Sequence, residues 1–167
     1  MIGRACRELL QESHVTRDTI IATALFTSDP AFRAPCDNRR VPRNRPLILL
    51  VEDHFDLRQM YAEHLTLSGF DVIEAGNGAD AITHTTARSP DVVLMDLSLP
   101  VMDGWEATRR LKNDTRTSHI PVVALTAHDG SGELERATRA GCDWFVPKPC
   151  PPDALIAEIR RVLGTPR

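Results

Sequence analysis

The chain has 167 residues, 42% of them apolar, and a formal net charge of −3. That length suits one ordinary domain plus an extension, and the apolar share is enough for a buried core. The charge gives no whole-chain argument for nucleic acid, and no apolar run approaches the ~20 residues of a membrane helix.

The charge is unevenly placed. Residues 1–46 carry eight Arg and five acids, a balance of +3, whereas residues 47–167 carry 12 basic and 18 acidic residues, a balance of −6. A mildly basic arm therefore precedes an acidic domain. Within the arm, "RACRELLQESH" could form two or three helical turns. "IIATALF" is too short, and follows too many charges, for a signal peptide. "SDPAFRAPCDNRRVPRNRP" strings together Pro, Arg, Asn and Asp and can bury little surface. We expect residues 1–46 to be an extension, disordered or partly helical. A start at Val41, if its codon is GTG, would leave an ordinary domain beginning. The four cysteines, Cys6, Cys36, Cys142 and Cys150, form no CxxC pair and have no His cluster beside them. That argues against zinc and implies no disulfide framework, and the cytoplasm is the expected compartment.

From Leu47 the pattern changes. "LILLVED" is a continuous apolar run, as a strand covered on both faces should be. A helix follows, with Leu57, Met60, Tyr61 and Leu65 on one stripe and Gly69 at its end. "DVIEA" is the second strand, "GADAITHTTAR" a helix, and "DVVLMD" the third strand. "GWEATRRLKND" is helical, "PVVALTA" the fourth strand, and "GELERATRAG" a helix. "DWFVPKP" holds a short fifth strand. "PPDALIAEIRRVL" closes the chain as an amphipathic helix with Leu155, Ile159, Val162 and Leu163 on one stripe. Five short strands alternating with five helices mean an α/β fold: a doubly wound parallel sheet with helices on both faces.

In such sheets the ligand site lies beyond the carboxyl ends of the strands. The first strand ends in Glu52 and Asp53, the third in Asp96 and the fourth in Thr126, and the fifth leads into Lys148. Adjacent like charges at the tip of a buried strand repel and are costly to desolvate, so something must offset them. Clustered carboxylates without His or Cys suit a hard cation, and Mg²⁺ is the natural candidate. An Asp carboxylate can attack phosphorus and form an acyl phosphate, with a cation and a Lys neutralising the transferring oxygens. No P-loop is present to cradle a nucleotide triphosphate.

"LLVEDH", "VVLMDLSLPVMDG", "VVALTA" and "FVPKP" occur in that order, with steps of 43, 30 and 22 residues linking Asp53, Asp96, Thr126 and Lys148. On these motifs, residues 47–167 resemble a response-regulator receiver domain of two-component signalling, standing alone behind an N-terminal extension. The resemblance implies the strand order 2-1-3-4-5. It also implies that Asp96 is the phosphoacceptor, and that Glu52, Asp53, Asp96 and the Ser98 backbone carbonyl hold Mg²⁺. Thr126 would bind the phosphoryl group, Lys148 would pair with carboxylate and phosphate, and Phe145 would be the aromatic switch. It implies a cis Lys148–Pro149 bond, and Ser98 and His128 as residues that tune the acyl-phosphate lifetime. The donor would be a sensor histidine kinase or a histidine phosphotransfer protein. The output would be a protein contact on the face of the fourth helix, fifth strand and fifth helix, with no DNA-binding domain and no membrane anchor. The protein would be a switch and not a metabolic enzyme.

Other readings compete locally. Asp53 sits where it could cap the first helix. Asp103 reads as a helix cap and Gly104 as a tight bend. Pro147 cannot donate to a sheet ladder, which suits an edge strand. "GNGADA", Gly76 to Ala81, matches the dinucleotide fingerprint GxGxxA, with Asp96 following 20 residues after Gly76. A dinucleotide-binding protein is thus the rival class, but it leaves Glu52, Asp53, Thr126 and Lys148 without a role. An Asp-nucleophile phosphatase would want a second Asp where Ser98 stands.

Overall fold

The computed structural model describes residues 43–126 and 138–164. The expected arm up to residue 42, His128 and most of the expected fourth helix lie outside the described residues. Five strands, β1 (Leu47–Val51), β2 (Asp71–Ala75), β3 (Val92–Asp96), β4 (Val122–Thr126) and β5 (Trp144–Pro147), pair in the order β2-β1-β3-β4-β5, all parallel. The described helices are α1 (Phe55–Leu67), α2 (Gly78–Arg88), α3 (Gly104–Asn113) and the C-terminal helix α4 (Pro152–Gly164).

The strands explain the helices' placement. β1 and β3 are buried throughout, because helices cover both faces of the sheet. Side chains alternate along each strand, so two cores form. On one face Ile48, Leu50, Val92, Leu94, Val123 and Leu125 meet α1 and α4 through Tyr61, Leu65, Leu155 and Ile159. On the other, Leu49, Val51, Val93 and Met95 meet α2 and α3 through Ala81, Ala107 and Leu111. Each large side chain so buried contributes about 1.5–3 kcal/mol. The stripe expected on the last helix is present, with Ile156 buried in it as well and Leu163 only partly buried.

Local chemistry sets the helix ends. Gly69, at φ +93°, follows the C-cap residue Ser68 of α1 in the left-handed conformation that favours glycine. Asp103 caps α3 by accepting a hydrogen bond from the Glu106 N–H at 2.7 Å. Asp53 does not cap α1. The N-cap is His54, without a side-chain bond, and the helix begins one residue too late for the Asp53 carboxylate to serve its first turn. β5 is an edge strand, which accommodates Pro147. Just before β1 and β3, Arg43 donates to the Ser89 carbonyl at 3.0 Å and approaches Asp91 at 3.8 Å, tying the start of the domain to the end of α2.

The loop from β3 to α3 is tight and strained. The Met102 N–H donates to the Pro100 carbonyl at 2.7 Å, which forces Val101 to φ +67°, a conformation costly for a β-branched residue. Gly104 passes so close to β3 that a Cβ there would sit 2.1 Å from the Asp96 carbonyl oxygen. Gly104→Ala should therefore destabilise the fold by about 1–3 kcal/mol or more in chemical denaturation, against little change for Gly164→Ala, where a Cβ meets nothing within 4 Å. Val101 is 93% exposed, so Val101→Asn loses no packing and should stabilise by about 1 kcal/mol in the same assay.

Candidate functional site

The connections from β1 to β2 and from β2 to β3 run in opposite directions across the sheet. The crevice at this reversal opens between β1 and β3, beyond their carboxyl ends. The register that places Val51 beside Met95 puts Glu52 and Asp96 next to each other at that edge. Glu52 is 2% exposed and Asp96 6%, while Asp53, one residue further out, is exposed. One oxygen from each of the three carboxylates lies within 4.8 Å of the others.

The lysine arrives from the edge of the sheet. Pro147 pairs with Thr126, and the Lys148 N–H donates to the Thr126 carbonyl at 2.7 Å. The Lys148–Pro149 peptide is cis. From this turn the Lys148 ammonium donates to Glu52 Oε2 at 2.5 Å and to Asp96 Oδ2 at 2.8 Å. The second Asp96 oxygen accepts the Ser98 N–H at 3.0 Å, so the phosphoacceptor expected from sequence is held on both sides.

Burial sets the electrostatics. It pushes the Glu52 carboxyl above its ordinary value, and the bond and charge of Lys148 only partly reverse this, with Asp96 adding repulsion. For Lys148 burial pulls the other way, but the bonds to Asp96 and Glu52 outweigh it and hold the ammonium above its ordinary value. Three carboxylates face one ammonium, an excess of acidic groups that suits a divalent cation. The donors are all oxygen, as a hard cation prefers.

Thr126 ends β4 and is half-buried. Phe145 stands opposite Ala124, half-buried, and alternation puts it on the sheet face opposite Trp144 and Val146. Ser98 is exposed, and its contribution here is the N–H bond to Asp96.

Three supporting groups escaped the sequence reading: the Ser98 N–H, Tyr61 and Arg58. The Arg58 Nη1 donates to the Glu52 carbonyl at 2.6 Å, and its Nε pairs with Glu74 at 3.2 Å, bracing the acidic turn against β2. An arginine one turn into a helix that follows two acids was the available signal.

The dinucleotide fingerprint has a packing explanation. Asn77 caps α2 by accepting the Asp80 N–H at 2.9 Å. Gly78 donates its N–H to the Met102 carbonyl at 3.1 Å, and a Cβ there would lie 2.6 Å from that oxygen. The glycine, first residue of α2, admits the neighbouring loop, and the fingerprint follows the edge strand β2.

Residues 48–160 match the family model of the response regulator receiver domain. The chain belongs to the response-regulator receiver family. Over 117 residues this receiver is 34% identical to the polar-differentiation response regulator DivK of Brucella anthropi, covering 70% of this chain and 95% of the relative. The DivK protein of Brucella ovis is 33% identical over the same span. Among solved structures, the receiver domain of a sensor histidine kinase from Pseudomonas aeruginosa superposes with a TM-score of 0.68 at 30% identity, covering 72% of this chain and 99% of that one. That structure has a magnesium ion coordinated in its active-site cleft. The chemotaxis protein CheY4 of Vibrio cholerae gives a TM-score of 0.68 at 25% identity, covering 71% and 98%. The receiver is thus a phosphorylation-based signalling domain of the two-component type, and the dinucleotide reading is not favoured. Among the described residues no helix is long and apolar enough to cross a membrane.

Because the folded state holds a proton on Glu52 more readily than the unfolded chain does, the stability contributed by Glu52 is fullest in acid and declines as pH rises above the ordinary carboxylate value of 4.5. The stability of the wild type relative to Glu52→Gln, without added metal, should therefore fall between pH 4.5 and 8. Urea titrations of both proteins across that range would measure it, and a difference that grows with pH would contradict the assignment.

Proposed function

We propose that Asp96 accepts a phosphoryl group from the phosphohistidine of a sensor histidine kinase or a histidine phosphotransfer protein. The observation that carries this reading is the single Lys148 ammonium bonded to both Asp96 and Glu52, with Asp53 beside them at the sheet's switch point. In the step, an Asp96 carboxylate oxygen forms a bond to phosphorus as the phosphorus–nitrogen bond to the donor breaks. The electron pair leaves with the imidazole, and an acyl phosphate remains on Asp96.

Glu52, Asp53, Asp96 and the Ser98 carbonyl would hold Mg²⁺. When bound, the ion neutralises charge on the phosphoryl oxygens and lowers the repulsion between phosphate and carboxylates. Lys148 supplies a fixed positive charge to the same oxygens, with no reorganisation needed at the moment of transfer. The Ser98 N–H orients the carboxylate. Thr126 hydrogen-bonds the new phosphoryl group, and its movement draws Phe145 inward. The face that the sequence assigns to the expected helix over 132–141, together with β5 and α4, would thereby be re-formed for a protein target. Ser98 and, from sequence, His128 tune how long the acyl phosphate survives. The chain acts as a cytoplasmic switch and catalyses only its own phosphotransfer and hydrolysis.

Intact mass after incubation with Mg²⁺ and acetyl phosphate tests the reading. The wild type should gain one phosphoryl group, and Asp96→Asn and the metal-free wild type should gain none. A folded, Mg²⁺-bound wild type that gains no mass and fails to bind beryllofluoride would refute it.

A further inference from the structure

Tyr61 entered the sequence reading only as a member of the apolar stripe of α1. The residue is 3% exposed and packs in the core shared with α4. Its hydroxyl, however, donates to the Cys150 carbonyl at 2.8 Å, across 89 residues of chain. Burial raises the hydroxyl above its ordinary value, so it remains a donor throughout the neutral range.

Cys150 belongs to the turn that carries Lys148. Three of the five residues from Lys148 to Pro152 are prolines and have no N–H to donate, so the turn has few means of fastening itself. It is held at its start by the Lys148 N–H on Thr126, and at its end by the Leu155 N–H on the Pro151 carbonyl, 3.1 Å away. Between these lies the Tyr61 bond. α1 starts two residues after Asp53, so the helix that bears Tyr61 is also the one that issues from the acidic turn. Tyr61 and Lys148 line one groove, of about 600 Å³, between α1 and the turn.

We infer that Tyr61 is a positioning residue for Lys148: its hydroxyl pins the proline-rich turn to the helix that follows the two acids, and so sets where the ammonium sits between Glu52 and Asp96. The inference rests on the proposed phosphotransfer for its functional consequence, but not for its structural one. Tyr61→Phe keeps the ring and removes only the hydroxyl. A long, flexible lysine on a loosened turn spends less time in reach of the phosphoryl oxygens, and small misplacements of a charged group are costly in rate.

The chain contains only two lysines, Lys112 and Lys148. Labelling lysine with ¹³C at Cε alone, in the full chain, therefore yields two side-chain signals. Lys112, bonded to Asp143 at 2.7 Å and to the Ile120 carbonyl at 2.8 Å, serves as the internal reference. In Tyr61→Phe the Lys148 signal should move toward that of an exposed lysine while the Lys112 signal stays. The initial rate of phosphorylation by acetyl phosphate should fall roughly fivefold, the scale of one lost hydrogen bond, with Mg²⁺ affinity unchanged. An unmoved Lys148 signal overturns the inference. So does an unchanged rate in a background where the wild type accepts phosphate, or a shift of both lysine signals together, which marks general loosening of the core. If the wild type accepts no phosphate, the proposed function fails and the lysine signals still decide the role of Tyr61.

Discussion

The site depends on one ammonium group held between two buried carboxylates. Unit charges ~5 Å apart repel by roughly 3 kcal/mol at an effective dielectric near 20, and Glu52 and Asp96 also lose hydration at the strand tips. An opposite charge at ~3 Å from each attracts by roughly 5 kcal/mol on the same scale, so Lys148 tips the balance. It does so incompletely, because burial still holds the Glu52 carboxyl above its ordinary value. An edge lined by three carboxylates and one ammonium offers the oxygen donors that a hard cation prefers.

Much of the surrounding structure serves to keep these groups in register. A parallel sheet brings every carboxyl-terminal strand end to one edge, and the order β2-β1-β3-β4-β5 makes β1 and β3 neighbours. Their apolar runs are buried on both faces and cannot slip without exposing core side chains. The loop after Asp96 is fitted closely: Ser98 bonds the carboxylate, Gly104 allows α3 to start against the Asp96 carbonyl, and Val101 carries the backbone strain of the turn. Strain of that kind persists where the packing around it over-determines the backbone. The acidic turn is braced from outside by Arg58 and Glu74, and the lysine turn by Tyr61.

Several features of the sequence point to more than one use, and contact with a neighbouring element decides between them. "GNGADA" has the spacing of a dinucleotide fingerprint, yet Gly78 is glycine because the Met102 carbonyl passes where a Cβ would be. Asp53 has the position of a helix cap, yet its carboxylate joins Glu52 and Asp96 and leaves the N-cap to His54. Tyr61 has the spacing of a core residue and is one, but its hydroxyl also bonds a carbonyl 89 residues away. A pattern of apolar and polar residues carries no record of such partners, since each bond joins segments far apart in the chain.

The sequence by itself determined the five strands, the described helices and which polar groups stand at the strand ends. Apolar runs of β-branched residues specify buried strands, 3.6-residue stripes specify helices, and their alternation leaves a parallel sheet as the way to bury both. Acids, a hydroxyl and a lysine at successive strand ends then fall on one edge without any knowledge of side-chain geometry. What only the tertiary structure decided was the pairing. Lys148 bonds Glu52 as well as Asp96, the Ser98 N–H holds the second Asp96 oxygen, and Arg58 and Tyr61 support the two turns. Periodicity is a property of neighbours along the chain, whereas hydrogen bonds and ion pairs act over about 3 Å in space, and only the folded chain brings those atoms within that range.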